Sequence, residues 1–145
     1  MIGLLQRVKS ASVTVDGQVI GSAGQGLLVL VCAEKGDTEE QSEKLAKKVL
    51  AYRIFEDENG KMNKSLTDIG GDILIVSQFT LAAETSKGLR PSFTPAADPE
   101  TGKKLYEHFV SKVKESGLRT ETGEFGAYMQ VALVNDGPVT IWLKC

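Results

Sequence analysis

Apolar positions along this chain follow two rhythms, alternation by two and recurrence every three to four residues. Residues 2–9 and 11–15 read as strand, with Val13 and Val15 alternating against Ser12 and Thr14. Asp16-Gly17 is a hairpin signal, and 18–20 is its return strand. After Gly24 and Gly26 comes 27–33, apolar throughout, as expected of a strand covered on both faces. Asp37, with Glu40 three residues later, predicts a capped helix running to about Arg53, with Leu45, Val49 and Tyr52 on one face. Ile54-Phe55 leads into a turn or short hairpin at 56–60 and a polar connection at 63–68. A central strand follows from Asp72 to about Leu81. Residues 82–98, holding Pro91 and Pro95, form a loop long enough to expect a functional one. Asp98-Pro99 opens a second helix, with Leu105, Phe109 and Val113 at helical spacing, ending near Ser116 before Gly117. Residues 128–134 and 139–143 read as two last strands joined by Asn-Asp-Gly-Pro.

The order β-β-β-α-β-α-β-β predicts one layered α/β domain over residues 1–145. The expectation is two packed sheets, barrel-like together, with the two main helices covering one face. A chain of this length buries roughly two-thirds of its unfolded surface.

Composition narrows the function classes. With 41% hydrophobic and 25% charged residues the chain reads as an ordinary soluble domain. No apolar run approaches the ~20 residues of a membrane helix, so no membrane partner is expected. The N-terminus lacks the basic start and cleavage site of a signal peptide, which predicts a cytoplasmic protein. Cys32 and Cys145 make neither a disulfide framework nor a metal site. The net charge of -2 offers nucleic acid no global attraction, so a nucleic-acid binder needs a local basic patch. The candidates are Lys44, Lys47 and Lys48; Lys87 and Arg90; and Lys103 and Lys104, although any one cluster alone reads first as solvated surface.

Two stretches carry candidate chemistry. Ser77-Gln78-Phe79-Thr80-Leu81 places hydroxyls, an amide and an aromatic ring at a strand end, where a rigid element meets an open loop. Either hydroxyl could be a nucleophile, or both could bond backbone, as Ser and Thr do at strand ends. The one histidine, His108, lies on the second helix, and no glycine elbow surrounds Ser77, which argues against a Ser-His-Asp hydrolase. No zinc spacing, phosphate loop or dinucleotide fingerprint is present, and no cofactor is expected. Gly137-Pro138 reads either as a tight turn or as a cis peptide whose carbonyls form a rigid acceptor pair.

Taken together, Ser77-Gln-Phe-Thr-Leu81 and Asn135-Asp-Gly-Pro-Val-Thr140 resemble the D-aminoacyl-tRNA deacylase family. So do Gln6-Arg7-Val8, Ala11-Ser-Val13, Gly17, Asn63-Lys-Ser-Leu66, Gly71-Asp72 and Arg90-Pro-Ser-Phe93, in order along the whole chain. Leu89 departs from the pattern, where a polar residue is expected. The resemblance implies a homodimer that hydrolyses the ester between a D-amino acid and the terminal adenosine of tRNA, and also releases glycine mischarged on tRNA, as on alanine tRNA. It implies that Ser77, Gln78, Phe79 and Thr80 line the pocket. It further implies that a cis Gly137-Pro138 enters the partner's pocket, holding the substrate amino group and excluding an L side chain. Chemistry would rest on positioning and backbone donors with help from the tRNA 2′-hydroxyl; Thr80 as covalent nucleophile is the alternative. Lys47, Lys48, Arg90, Lys103 and Lys104 are the candidate tRNA contacts.

Overall fold

The computed structural model describes all residues, Met1–Cys145. Its spine is one long strand, β1 (Ile2–Val15), rather than the two short ones expected. On one side β1 pairs first with β3 (Gly26–Cys32) and then with β2 (Gln18–Ala23). On the other side it pairs along nearly its full length with β8 (Gln130–Lys144). β3 continues in parallel to β6 (Asp72–Ser77), and β6 to β7 (Thr120–Thr122). The two sheets expected from the pattern are therefore continuous along β1.

The six-stranded sheet curls until β7 approaches β2, where side chains replace a backbone ladder. Ser22 N donates to Glu121 Oε1 at 2.8 Å. Arg119 reaches Asp72, Ser22 and Glu121 at 3.0–3.2 Å. A Cβ on Gly21 would lie 2.5 Å from the Thr122 carbonyl oxygen, so this near-closure requires glycine.

The alternation of β3 and β6 explains why they are apolar throughout. Leu27, Val29, Val31, Ile73 and Ile75 face a 20-residue core under the helices. Leu28, Leu74 and Val76 face a separate core inside the barrel with Val8 and Val13. Both faces are dry, so neither alternate set is polar.

The helices α1 (Glu39–Ala51) and α3 (Pro99–Lys114) cover one face of the sheet, as expected. They bury Leu45, Val49, Leu105, Phe109 and Val113. Asp98 caps α3, its Oδ1 accepting from Thr101 N at 3.0 Å. At α1 the cap is Thr38, whose N–H donates to Gln41 Oε1 at 2.7 Å. Asp37, the expected cap, instead takes the Glu34 N–H and the Met1 ammonium. Between the helices lie a two-stranded hairpin, β4 (Phe55–Glu56) with β5 (Met62–Lys64), and one turn of helix, α2 (Leu66–Ile69), capped by Ser65. No helix is long and apolar enough to cross a membrane.

The C-terminal half of the pattern needs correction. Residues 130–144 are one strand, not two joined by a turn, and Asn135–Val139 forms a bulge along it where the pairing with β1 shifts. Gly137-Pro138 is a cis peptide within that bulge. Bulge and turn use the same residue types, so composition alone does not separate them.

Candidate active site

The central strand ends at Ser77, earlier than expected. Gln78 N still donates to Val31 O at 2.8 Å, and the chain then winds into a 3-10 turn over Phe79–Ala82. Leu81 N bonds Gln78 O and Ala83 N bonds Thr80 O, at 3.2 and 3.1 Å. The first N–H groups of such a turn, those of Phe79 and Thr80, have no partner inside it, which leaves them free to donate elsewhere.

A cavity of about 590 Å³ opens at this strand end. It brings together Ser77, Gln78 and Phe79 with Phe93 from the loop and Tyr106 and Phe125. Phe79 and Phe93 meet edge to face with centroids 5.1 Å apart. That contact exists because the 82–98 loop folds back: Glu84 and Ser92 pair antiparallel, and Ala97 N returns to Ala33 O. Most of the cavity wall is apolar or aromatic, so it suits a flat ring or a varied side chain.

Thr80 does not line the cavity. Its Oγ1 accepts a hydrogen bond from Gln78 Nε2. Ser77 Oγ has no partner within the chain, so neither hydroxyl makes the expected bond to backbone. Gly137 and Pro138 are exposed on β8 and lie outside this chain's own cavity.

No poised base faces the cavity. His108 binds Glu43 of α1 at 3.0 Å and is absent from the lining. Burial pushes the Cys32 thiol from its ordinary 9.0 up to about 11, so it stays protonated and inert. The Asp98 carboxyl at the rim is held below its ordinary range by the Thr101 N–H it caps. Burial also raises the Tyr106 phenol, whose hydroxyl donates to Ile75 O at 2.9 Å.

The Gly137-Pro138 bulge is rigidly held. Asn135 Oδ1 accepts from Val139 N at 2.7 Å while its Nδ2 donates back to Val139 O. Arg7, only 9% exposed, donates from Nε to Asp136 O and from Nη1 to Ile54 O at 2.8 and 2.7 Å. Arg7 stands in the Gln6-Arg7-Val8 motif, but its role as a clamp on β8 depends on a contact 129 residues away in sequence. Among the basic candidates, Lys103 lines a second cavity beside the first, and Arg90 is exposed in the returning loop. Lys47, Lys48 and Lys104 line neither cavity.

Comparison with known proteins follows the same lines. The model of the family described as D-Tyr-tRNA(Tyr) deacylase matches residues 4–144. A D-aminoacyl-tRNA deacylase of Cupriavidus necator is 58% identical, with 99% of this chain and 97% of that one covered. One from Aeromonas hydrophila is also 58% identical, covering 99% of each. Among solved structures, the c-Myc DNA Unwinding Element Binding Protein superposes with a TM-score of 0.94 at 42% identity, covering 100% of this chain and 99% of the other. A probable eukaryotic D-amino acid tRNA deacylase shares the fold, with a TM-score of 0.87 at 20% identity over 99% and 98% of the two chains. With its strand-end pocket, its clamped Gly-Pro bulge and these matches over nearly the whole chain, the protein belongs to the D-Tyr-tRNA(Tyr) deacylase family.

Proposed function

We propose that this chain is a D-aminoacyl-tRNA deacylase that works as a homodimer in the cytoplasm, each pocket completed by Gly137-Pro138 of the partner subunit. The observation that carries this reading is a cavity with donors but no base. Ser77, Gln78 and Phe79, whose N–H opens the 3-10 turn without a partner in it, meet an aromatic wall, while Cys32 is protonated and His108 is tied to Glu43.

Such a site suits an ester that is already activated and carries its own assistant. The 2′-hydroxyl of the terminal ribose neighbours the scissile ester and relays the proton. The protein holds the ester and stabilises the developing oxyanion with backbone donors. Thr80, outside the lining and bonded to Gln78, is the second choice as nucleophile.

Chirality is a question of what stands against the α-carbon. A backbone wall accepts any D side chain and blocks an L one, whereas a side-chain pocket would choose among amino acids. Gly137 and Pro138 supply such a wall: they are exposed, have no side-chain role in their own subunit and are fixed by Arg7 and Asn135. Glycine has no side chain to meet the wall, so glycine misplaced on alanine tRNA is also a substrate. The dimer is supported by β8, whose outer edge is unpaired and which exposes Val131, Val134 and Trp142.

The test is deacylation of matched D-tyrosyl-, L-tyrosyl- and glycyl-tRNA. Turnover of the D and glycyl substrates with the L substrate spared is expected, and equal hydrolysis of D and L would defeat the reading. A D-tyrosyl-tRNA ending in 2′-deoxyadenosine, acylated on the 3′ oxygen, should be nearly inert. Normal turnover of it would revive Thr80 as nucleophile.

A further inference from the structure

A second cavity of about 590 Å³ runs between α3 and the segment 122–125, and it shares Tyr106 and Phe125 with the first. Its lining includes Lys103, Glu107, Ser111 and Lys114 from α3, which recur at helical spacing and so form one stripe. From Lys103 to Lys114 that stripe extends about 16 Å, at 1.5 Å per residue. Glu124 joins it from the opposite wall. The chain's lysine ion pairs use Lys44, Lys64, Lys112 and Lys144, leaving Lys103 and Lys114 free.

We propose that this groove binds the two cytidines that precede the terminal adenosine of the substrate tRNA. The proposal rests on the deacylase reading and adds to it a path for the RNA. Every tRNA ends in cytidine-cytidine-adenosine, so a chain whose adenosine enters the first cavity must lay these nucleotides beside it. The groove adjoins that cavity, the two sharing Tyr106 and Phe125 in their linings, and Lys103 directly follows Gly102 of the first cavity's lining. Its chemistry is mixed, with two free ammonium groups and two carboxylates. A simple anion would meet repulsion from Glu107 and Glu124, and a simple cation from the lysines. A cytidine run presents both complements. Its phosphates suit Lys103 and Lys114, and the cytosine N4 amine donates to a carboxylate such as Glu107 or Glu124. The half-exposed ring of Phe125 gives a base a face to stack on.

The experiment compares D-tyrosyl-tRNA with the small ester 3′-O-(D-tyrosyl)adenosine, which fills the first cavity but has no cytidines. Replacing Lys103 and Lys114 together by Glu should lower kcat/KM on the tRNA by about tenfold more than on the small ester, mainly through KM, and flatten the salt dependence. The charge control Lys61→Glu, on the β4–β5 hairpin, should show no such difference. In the second arm, a tRNA whose two cytidines are replaced by uridines presents a carbonyl where the amine was. Wild-type protein should then lose about tenfold, and Glu107→Gln with Glu124→Gln should lose less from the same change. An equal loss on tRNA and small ester, or no loss on tRNA, overturns the groove assignment while leaving the deacylase intact. A wild-type protein that turns over neither D-tyrosyl substrate overturns the underlying reading instead.

Discussion

Gly137 sits at φ +154°, and a Cβ there would come within 2.7 Å of Val139 N. The backbone of β8 is held on both sides of this point by Asn135 and Arg7, so an added methyl has no direction in which to yield. Gly137→Ala should therefore displace the bulge and lower D-aminoacyl-tRNA turnover by at least about tenfold, while the melting temperature moves only a few degrees because the residue is exposed. Deacylation kinetics beside a thermal melt checks both parts. Cys32 gives a prediction of another kind. The folded thiol keeps its proton to about 11, whereas an unfolded one releases it near 9.0. Between those values the native state binds more protons, so stability is full below pH 9 and declines as pH rises through 11. Denaturation midpoints across that range should fall, and Cys32→Ala should flatten the slope.

Among the elements, β1 and β8 decide the architecture. Arg7 reaches from β1 to the carbonyls of Asp136 and Ile54 with no carboxylate partner. Losing two charge-assisted bonds at a buried site should cost about 2–4 kcal/mol, so Arg7→Met should lower the urea midpoint and loosen the Gly-Pro bulge. The exposed apolar positions of β8 predict that Val134→Asp gives a monomer by light scattering and loses deacylation with it. Much of this level was legible in the sequence. The helical stripes of α1 and α3, the doubly buried β3 and β6, and the Asp98 cap all follow from local pattern, because burial writes itself into periodicity. Three features did not. β7 is three residues long and made only of Thr120, Glu121 and Thr122, with no apolar period to betray it. The continuity of β8 through Gly137-Pro138 depends on β1 lying alongside. Thr80 sits in a recognisable motif, yet the 3-10 turn carries it off the cavity wall.

For the molecule as a whole, the proposed function makes the site incomplete within one chain. The pocket at the end of β6 and the bulge on β8 belong to the same account, but Gly137 and Pro138 do not line their own subunit's cavity. A two-fold dimer with self-complementary faces, as proposed, would place each bulge in the other pocket and so make two equivalent sites. The charge on the molecule adds to this. With a net charge of -2, the proposed function draws its tRNA affinity from local lysines and Arg90, and that affinity should fall steeply with added salt. Subunit mixing tests the central claim most directly. One variant carries Phe79→Ala, which damages the pocket at a residue 58% exposed and spares the core. The other carries Gly137→Ala, which damages the bulge. Each homodimer should be nearly inactive on D-tyrosyl-tRNA. Unfolded together and refolded as an equal mixture, half of the dimers are mixed, and each of these holds one site with a sound pocket and a sound bulge. Activity should return to about a quarter of wild type. A mixture no more active than its two parents, with mixed dimers present, would place pocket and bulge in the same subunit and contradict the account.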